Sequence, residues 1–415
     1  MFDAFSTALS ALTANSTAVD IIGNNLANLN TTGYKTDAVQ FSDLMSQQLG
    51  GASTGNQVGM GVSGAQSVRQ FTQGSIQQTS GPLDAAINGD GFFVVRDTSG
   101  QQLYTRAGNF KLGTNGSLLT ANGDNVQGWN SAGGVLNLNG PLSNIVIPVN
   151  GVVPALVTAN VSLTANLNAS AVVGSPTATF SAPVQVVDSQ GGTHILTFAF
   201  TKTATNAWGY TVSIPAADLK TGGTTTVATG NLTFDGTGQL TSPAATAPPV
   251  ALKIAGLADG ATDMTVNWNM FSGASGLLTQ FAQTSGVSAT NQDGNPAGQI
   301  VKISMGDNGV IVADYSNGQQ STVAQVALAG IRNPESMMAV GNNNLQATIN
   351  TAAPAIGTAD SGGRGKIMGG SLESSTVDMA REFTNLISAQ RSYQASSKVI
   401  TTTDQMLQDL INVKQ

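Results

Sequence analysis

The stretch from Ser371 to Gln415 contains neither Gly nor Pro, although the chain of 415 residues has 49 Gly and 13 Pro. Within this stretch, a stripe of positions advances alternately by three and four residues. The stripe consists of Phe383, Leu386, Gln390, Tyr393, Ser397, Ile400, Asp404 and Leu407, followed by Leu410 and Ile411. Such spacing is typical of a helix that buries one face. A helix of about 40 residues would be about 60 Å long, which is longer than a compact domain requires.

The N-terminal block has the same period. Its stripe consists of Phe5, Leu9, Leu12, Ser16 and Val19, and it is extended by Phe2, Ile22, Leu26 and Leu29. The polar run Asn30 to Gly33 predicts the end of this helix, and Ser375 with Asp378 predicts a capping box before the second. Because an isolated helix with an uncovered apolar stripe is marginal in water, we expect the two ends to pair with each other and then with other subunits.

The middle of the chain has the pattern of short β-strands. The clearest runs are residues 92–95, 195–201, 210–214, 300–305, 310–313 and 323–329, bounded by Asn-Gly, Asp-Gly or Gly-rich turns. Short strands without interleaved helices favour antiparallel sandwiches or barrels. The predicted fold is therefore mainly β with long terminal α-helices: a helical coiled-coil domain and two antiparallel β domains, the outer one inserted in the inner one.

The predicted boundaries follow the changes in composition. Residues 1–30 and 374–415 form the helical domain, and residues 31–70 and 366–373 connect it to the rest. Residues 71–145 and 285–365 form the inner β domain. Residues 146–284, rich in Thr, Ala, Val and Gly, form the inserted outer β domain, and no charged side chain occurs between Asp124 and Asp188.

Composition excludes several classes of protein. Charged residues make up 9% of the chain, against about 25% in an average globular protein. The net charge of −7 argues against a nucleic-acid binder, which needs clustered Lys and Arg. Without Cys and with a single His, the chain lacks thiol nucleophiles, disulfides and the usual zinc sites. No apolar run reaches the length of a membrane span, and the first 20 residues lack the pattern of a signal peptide.

Isolated motifs suggest no chemistry. Gly59 to Gly64 fits G-x-G-x-x-G but lacks the required strand and helix around it. His194 starts an apolar strand after a Gly-Gly turn, where an imidazole is usually a surface or edge side chain. The stretch from Asp84 to Asp90 lacks the acidic spacing of a calcium loop, and most Asp residues fall in turns such as Asp235-Gly236. We therefore predict that the protein is not an enzyme and has no catalytic, cofactor-binding or metal-binding residues.

Several segments, in order, resemble the bacterial flagellar rod and hook axial proteins. The N-terminal segment contains Asn24, Asn25, Ala27 and Asn28 and then Gly33, Tyr34 and Lys35, and the C-terminal one contains Gln390, Arg391, Tyr393 and Gln394. Gly81 to Asp84, Asn88 to Phe93 and Tyr104 to Phe110 resemble the same family. The long insertion between Gly128 and about Phe281 resembles hook subunits rather than the shorter distal rod proteins.

The resemblance implies an architecture and a role. Helices from both ends would line the channel of a curved, hollow helical tube that passes torque from rod to filament as a universal joint. The expected polymerisation interface consists of Phe5, Leu9, Leu12, Val19, Ile22, Leu26, Phe383, Leu386, Tyr393, Ile400, Leu407 and Leu410. Expected partners are further copies of the chain, the distal rod protein, the hook cap, the hook-filament junction proteins and the flagellar type III export apparatus, which needs no cleaved signal peptide. The alternatives are a distal rod or other axial protein and a secreted β-rich adhesin or glycan hydrolase.

Overall fold

The computed structural model describes residues 2–44, 47–48, 57–149 and 151–413, without the side chains of residues 2–4, 47–48, 57–58, 410–411 and 413. The chain divides into two compact units. Unit 1 comprises Met1–Val149, Lys302–Ala313 and Gln320–Gln415, and unit 2 comprises Asn150–Val301 and Asp314–Gln319. Unit 2 is therefore inserted into unit 1, as the sequence predicts, although its limits differ from residues 146–284.

The strands of three or more residues alternate with many short turns. In chain order they are β1 (Asp37–Gln40), β2 (Gln66–Arg69), β3 (Ile76–Gln78), β4 (Ala85–Asn88), β5 (Phe92–Arg96), β6 (Gln102–Thr105), β7 (Asn125–Ala132), β8 (Asn160–Asn166), β9 (Thr179–Val187), β10 (Thr193–Ala204), β11 (Ala207–Ser213), β12 (Thr226–Phe234), β13 (Leu240–Ser242), β14 (Val250–Ile254), β15 (Met264–Asn269), β16 (Gly286–Gln292), β17 (Gly298–Met305), β18 (Val310–Tyr315), β19 (Gln320–Val326), β20 (Leu328–Gly330), β21 (Met338–Gly341), β22 (Asn344–Gln346), β23 (Ala355–Gly357), β24 (Lys366–Gly369) and β25 (Ser371–Glu373).

Two long helices form the ends of unit 1, α1 (Phe2–Ala27) and α2 (Met379–Val413). α2 starts at a cap different from the predicted one. Oδ1 of Asp378 accepts hydrogen bonds from the backbone N–H groups of Ala380 and Arg381, at 2.9 and 3.1 Å, so Asp378 itself is the N-cap. Ser375, predicted as the cap, instead accepts from the N–H of Val377. Neither helix combines the length and apolar character that a membrane crossing requires, over the described residues.

The β part of unit 1 is organised around β5. An antiparallel sheet runs in the order β19-β7-β5-β6-β22-β21. Phe92, Phe93, Val94 and Val95 of β5 are all buried, because this strand lies in the middle of the sheet and is covered on both faces. A continuous apolar run is what such a position requires.

Unit 2 contains two five-stranded sheets. The first is antiparallel in the order β9-β10-β11-β12-β13, and the second includes β14, β15, β8 and β16. Two pairs depart from the antiparallel sheets that the sequence predicts, because β8 runs parallel to the short strand Leu278–Thr279 and to β15. A parallel pair needs a long crossover, and here the first sheet is built between β8 and its parallel partners. β16 pairs along β8, which is why unit 2 continues past residue 284.

The core of unit 2 is aromatic. Trp208, Trp268, Phe198 and Phe200 are completely buried. The Trp268 ring from the second sheet meets Phe198 and Tyr210 from the first edge-on, with centroids 4.8 and 5.1 Å apart. These rings bury large apolar areas and join the two sheets in a geometry that aromatic pairs prefer.

Candidate assembly interface and its buried junction

α1 and α2 pack through small residues. The buried positions of α1 are Ala8, Ala14, Ala18, Ile22 and Asn25, and Ala389 is buried on α2. Ala18, Ile22 and Ala389 form one cluster, against which Val19 and Leu386 pack while partly buried. Small side chains allow the two helix backbones to approach closely. As a result, this face uses few of the large apolar side chains that the helices carry.

The predicted interface residues are divided between that closely packed face and the exposed surface of the pair. Phe5, Leu9, Phe383 and Tyr393 are 38, 49, 45 and 40% exposed. Of the other predicted interface residues, Ile22 is buried and Leu12, Val19, Leu26, Leu386, Ile400 and Leu407 are partly buried, whereas the Leu410 side chain lies outside the described residues. It is unusual for one helix pair to have several large apolar side chains at about half exposure. They leave each chain with apolar surface to cover.

The sequence pattern missed part of this surface. Met379, Ile387, Val399 and Met406 of α2 are 48, 50, 45 and 62% exposed. Ile387, Val399 and Met406 fall between the positions of the three-four stripe, so a search for that spacing excludes them, whereas Met379 lies four residues before Phe383 and continues the stripe. With Phe383 and Tyr393, they make α2 apolar on more than one side.

Asn25, one of the resemblance residues, joins the helix pair to the first strand. Its side-chain amide donates to the backbone oxygen of Asp37 at 2.8 Å and to Oε2 of Glu382 at 3.2 Å. Its Oδ1 accepts from the N–H of Asp37 at 3.0 Å and from the Tyr34 hydroxyl at 3.3 Å. Asn24 donates to the same hydroxyl. Burial, followed by the charge of Asp37, raises the pKa of Tyr34, so this hydroxyl remains a donor at neutral pH.

Glu373 is the centre of a second buried network. Its side chain is fully buried and accepts from Lys35 at 2.6 Å and from Arg106 at 3.2 Å, both of which are at most 6% exposed. The N–H of Gly74 also donates to Oε1, at 2.8 Å. Burial lowers the pKa of both Lys35 and Arg106, and the Glu373 charge opposes that shift. The network ties the segment after α1, the β domain and the segment before α2 to one carboxylate.

Gly33 is required by close backbone approach at this junction. Its φ is +67°, and a Cβ there would lie 2.7 to 2.9 Å from backbone atoms of Arg106 and Ala107. Its N–H donates to the backbone oxygen of Glu373 at 2.8 Å. A residue with a side chain would therefore have a strained backbone conformation at this position and would push the two backbone segments apart.

The remaining resemblance residues lie at the helix surfaces. Asn28 donates to the backbone oxygen of Asn24, and Ala27 is exposed. Gln390, Arg391 and Gln394 are exposed on α2. Gln390, Tyr393 and Gln394 line a shallow pocket of about 290 Å³ with Ser16 and Val19. This open pocket adds a polar rim to the apolar surface of the pair.

In unit 2, His194 is not the surface or edge side chain that the sequence predicts. It is 7% exposed. Its Nε2 lies 2.9 Å from Oδ2 of Asp188 and 3.4 Å from Oδ2 of Asp259, and its Nδ1 lies 3.2 Å from Oδ2 of Asp218. Burial lowers the pKa of His194, but the hydrogen bonds and charges of Asp188 and Asp218 outweigh it and raise the pKa overall. Sequence separation hid this cluster, since Asp218 and Asp259 come from distant turns.

Four family models match segments of the chain, and curated relatives match nearly all of it. Residues 5–35 match the flagella basal body rod protein family, residues 86–164 the flagellar hook protein FlgE/F/G D1 domain, residues 158–295 the flagellar basal body protein FlaE D2 domain, and residues 368–413 the flagellar basal body rod FlgEFG protein C-terminal family. The flagellar hook proteins FlgE of Salmonella typhimurium and Escherichia coli are 34 and 35% identical, over 99% of this chain and 100% of each relative. The chain belongs to the flagellar hook protein FlgE family.

Other FlgE proteins extend the likeness. FlgE of Treponema pallidum is 33% identical over 98% of both chains. The crystal structure of Helicobacter pylori flagellar hook protein FlgE2 matches with a TM-score of 0.50 at 15% identity, covering 70% of this chain and 99% of that one. That match concerns the fold, and it confirms a β-rich architecture.

FlgE membership confirms the family that the motifs indicate. The chain is a structural subunit of the flagellar hook and polymerises within the flagellum. The FlgE relatives are hook proteins rather than distal rod proteins. The match to the FlaE D2 domain, at residues 158–295, lies within unit 2. The match to the C-terminal family includes both Glu373 and α2.

Proposed function

We propose that the protein polymerises through the exposed apolar side chains of α1 and α2 into a curved, hollow tube that transmits torque from rod to filament as a universal joint. The observation that supports this most directly is that small and large apolar side chains of the helix pair differ in exposure. Small residues close α1 against α2 within one chain, and large residues such as Leu9 and Phe383 remain about half exposed. Covering them contributes about 25 cal/mol per Å².

The polymer grows as an open helix if the exposed apolar side chains of the helix pair contact neighbouring subunits through more than one face. A subunit that binds its neighbours through different faces does not close a ring unless the rotation happens to fit, so it builds an open helix. In this proposal the helices line the channel. The protein has no catalytic role. Its further partners are the distal rod protein, the hook cap and the hook-filament junction proteins, and it leaves the cell through the type III export apparatus without a cleaved signal peptide.

The low charge content suits a joint that bends. As a curved tube rotates, contacts between outer parts of neighbouring subunits lengthen and shorten. Neutral side chains can slide, whereas a desolvated ion pair costs several kcal/mol when it loses its partner. With 9% charged residues, the tube should have a bending stiffness that depends weakly on salt. A strong salt dependence of the stiffness would contradict this part of the proposal.

The interface is tested by electron microscopy of the purified chain under polymerising conditions. Leu9→Asp and Phe383→Asp each place a charge in a surface that must lose water, so we expect folded monomers and no tubes. Val173→Asp is the matched control, since Val173 of unit 2 is 52% exposed and Leu9 is 49% exposed. The control should form tubes. Normal tubes from Leu9→Asp, or their loss in Val173→Asp alone, would overturn the assignment.

A deletion tests the role of unit 2 separately. Replacing residues 150–301 by a short Gly-Ser linker should leave polymerisation intact but change the curvature or stiffness of the tube. If this variant folds its helices and forms no polymer at all, unit 2 belongs to the growth interface.

A further inference from the structure

The most unusual group of charged side chains lies in unit 2, away from the helix pair. His194 is on β10, and Asp188 follows β9 in the turn that precedes it. Asp218 ends a short 3₁₀ turn, Ala216–Asp218, after β11, and Asp259 lies between β14 and β15. The first three belong to one sheet of the sandwich and Asp259 to the other, so the cluster joins the two sheets at one end.

Backbone hydrogen bonds hold two of the carboxylates in place. Oδ1 of Asp188 accepts from the N–H groups of Gln190 and Gly192, at 2.7 and 2.9 Å. Oδ1 of Asp259 accepts from the N–H of Ala261 at 3.0 Å. In both residues the other oxygen, Oδ2, is left to face Nε2 of His194. Each carboxylate is thus oriented by its own turn before any ligand binds.

The charges of the cluster do not balance. Three carboxylates surround one imidazole, and the Asp188 side chain is completely buried. Among the ion pairs of the described residues, none brings a Lys or Arg to these carboxylates. Even a protonated imidazole leaves a net negative charge. The Asp218 and Asp259 side chains are 29 and 34% exposed, so water screens part of this excess charge, and a divalent cation bound among the carboxylate oxygens would offset the rest.

The distances suit coordination. The three ligand atoms, Nε2 of His194 and one oxygen each from Asp188 and Asp259, lie within 4.8 Å of one another. Metal-ligand bonds of about 2.1 Å separate neighbouring ligand atoms by about 3.0 Å at 90° and by about 3.4 Å at the tetrahedral angle. The observed separations from Nε2 are 2.9 and 3.4 Å.

The second ring nitrogen supports the same arrangement. Nδ1 of this buried imidazole makes no hydrogen bond among the described residues, although Oδ2 of Asp218 lies 3.2 Å away. When Nε2 binds a cation, the ring proton resides on Nδ1, beside Asp218. A carboxylate on the outer nitrogen is the partner that metal-binding histidines usually have.

We propose that His194, Asp188 and Asp259 bind a divalent transition-metal ion, best fitted by Zn²⁺, with Asp218 orienting the imidazole from outside. Zinc accepts imidazole and carboxylate ligands together. The partly exposed Asp259 leaves a fourth position for water. The ion ties the two sheets together at this end of the sandwich, so that its binding free energy adds to the stability of unit 2.

The single histidine makes the test direct. Full-length, tag-free protein is titrated with Zn²⁺ alone while the ring signals of His194 are followed by NMR and the stoichiometry by calorimetry. We expect one ion per chain, a shift of the one set of imidazole signals, and a rise in the unfolding temperature that EDTA reverses. No saturable binding by the folded chain, or binding that leaves the His194 signals unmoved, would overturn the proposal.

Matched variants locate the ion. Asp259→Asn removes an exposed ligand and should weaken Zn²⁺ binding at least tenfold while the chain stays folded by circular dichroism. Asp263→Asn is the control, because Asp263 lies in the same connection but accepts from the N–H of Gly256. Asp218→Asn should lower affinity about 10- to 100-fold as an outer-shell change. Unchanged affinity in Asp259→Asn, or an equal loss in Asp263→Asn, would exclude the site.

Discussion

The helix pair of unit 1 and the sandwich of unit 2 use their large apolar side chains in opposite ways. In the sandwich, Trp208 and Trp268 are completely buried within one chain. In the helix pair, small residues such as Ala18 and Ala389 are buried, and Leu9 and Phe383 stay about half exposed. The sandwich therefore covers its large side chains within one chain, whereas in the proposed assembly the exposed side chains of the pair are covered by other copies. Removing a large side chain should cost stability in one region and assembly in the other.

The largest expected effect is in the sandwich. Trp268→Ala should destabilise unit 2 by about 3 to 5 kcal/mol, since it removes a buried ring and leaves a cavity. Tyr393→Ala, on the 40% exposed Tyr393, should change the free energy of unfolding by less than about 0.5 kcal/mol and raise the concentration needed for polymerisation. Hydrogen exchange of peptides from each unit measures the first effect, and sedimentation of polymer the second. A large loss of stability in Tyr393→Ala would mean that Tyr393 stabilises the folded chain, as Trp268 does, rather than only the assembly.

Variants in the Glu373 network test whether the attachment of the helix pair to the β domain is independent of the contact between α1 and α2. Glu373→Ala leaves Lys35 and Arg106 buried without their carboxylate, which should cost about 3 to 5 kcal/mol in unit 1 and nothing in unit 2. The control is Lys366→Ala, because Lys366 and Asp360 form an ion pair at 3.4 Å with both side chains at least half exposed. Exposed pairs contribute at most about 1 kcal/mol. Equal losses in the two variants would mean that burial does not decide the strength of these pairs.

A smaller effect is expected where the two helices touch. Ala18→Leu inserts three extra carbons into the closely packed face and should cost about 1 to 3 kcal/mol through overpacking. Ala380→Leu adds the same atoms at an exposed position of α2 and should be nearly neutral. Thermal unfolding by circular dichroism at 222 nm reports both, since the two long helices dominate that signal. If Ala18→Leu were stabilising, there would be unfilled space between the two helices at Ala18, and their packing there would not be close.

The smallest effect is a pH dependence of unit 2. Burial raises the pKa of Asp293, but hydrogen bonds from Asn160 and Ala159 outweigh it and lower the pKa below its usual value. A carboxylate with a lowered folded pKa stabilises fully above its unfolded pKa, near 3.9, and loses that contribution as the pH falls through the folded value. Asp293→Asn should be less stable than the parent chain at pH 7 by less than about 1 kcal/mol, because the group is exposed. This difference should shrink as the pH falls below about 3.9, and a difference that stays constant between pH 7 and pH 2 would argue against a charge effect.

Periodicity identified what depends on local spacing. The helices follow from a period of 3.6 residues and β10 from a period of 2, whereas the strand at Phe92 follows from a continuous apolar run. The close face of the helix pair was missed because Ala8, Ala14 and Ala18 are weakly hydrophobic, and the stripe of larger residues dominates any search. The Asp378 cap was misplaced by one turn because two candidate residues stand three positions apart.

Contacts between distant segments lay beyond any local pattern. Glu373 meets Lys35 across 338 residues of sequence, and His194 meets Asp259 from the other sheet. Only the fold brings such groups together.

The unequal lengths of the two helices have a consequence for size control. α1 has 26 residues and α2 has 35, and the end of α1 meets the start of α2 through Asn25 and Glu382. At 1.5 Å per residue, α2 therefore projects about 13 Å past the beginning of α1. A newly added copy that covers this projection presents an identical one in turn. A tube built in this way carries no signal for its own final length, so a stopping point must be imposed from outside the subunit.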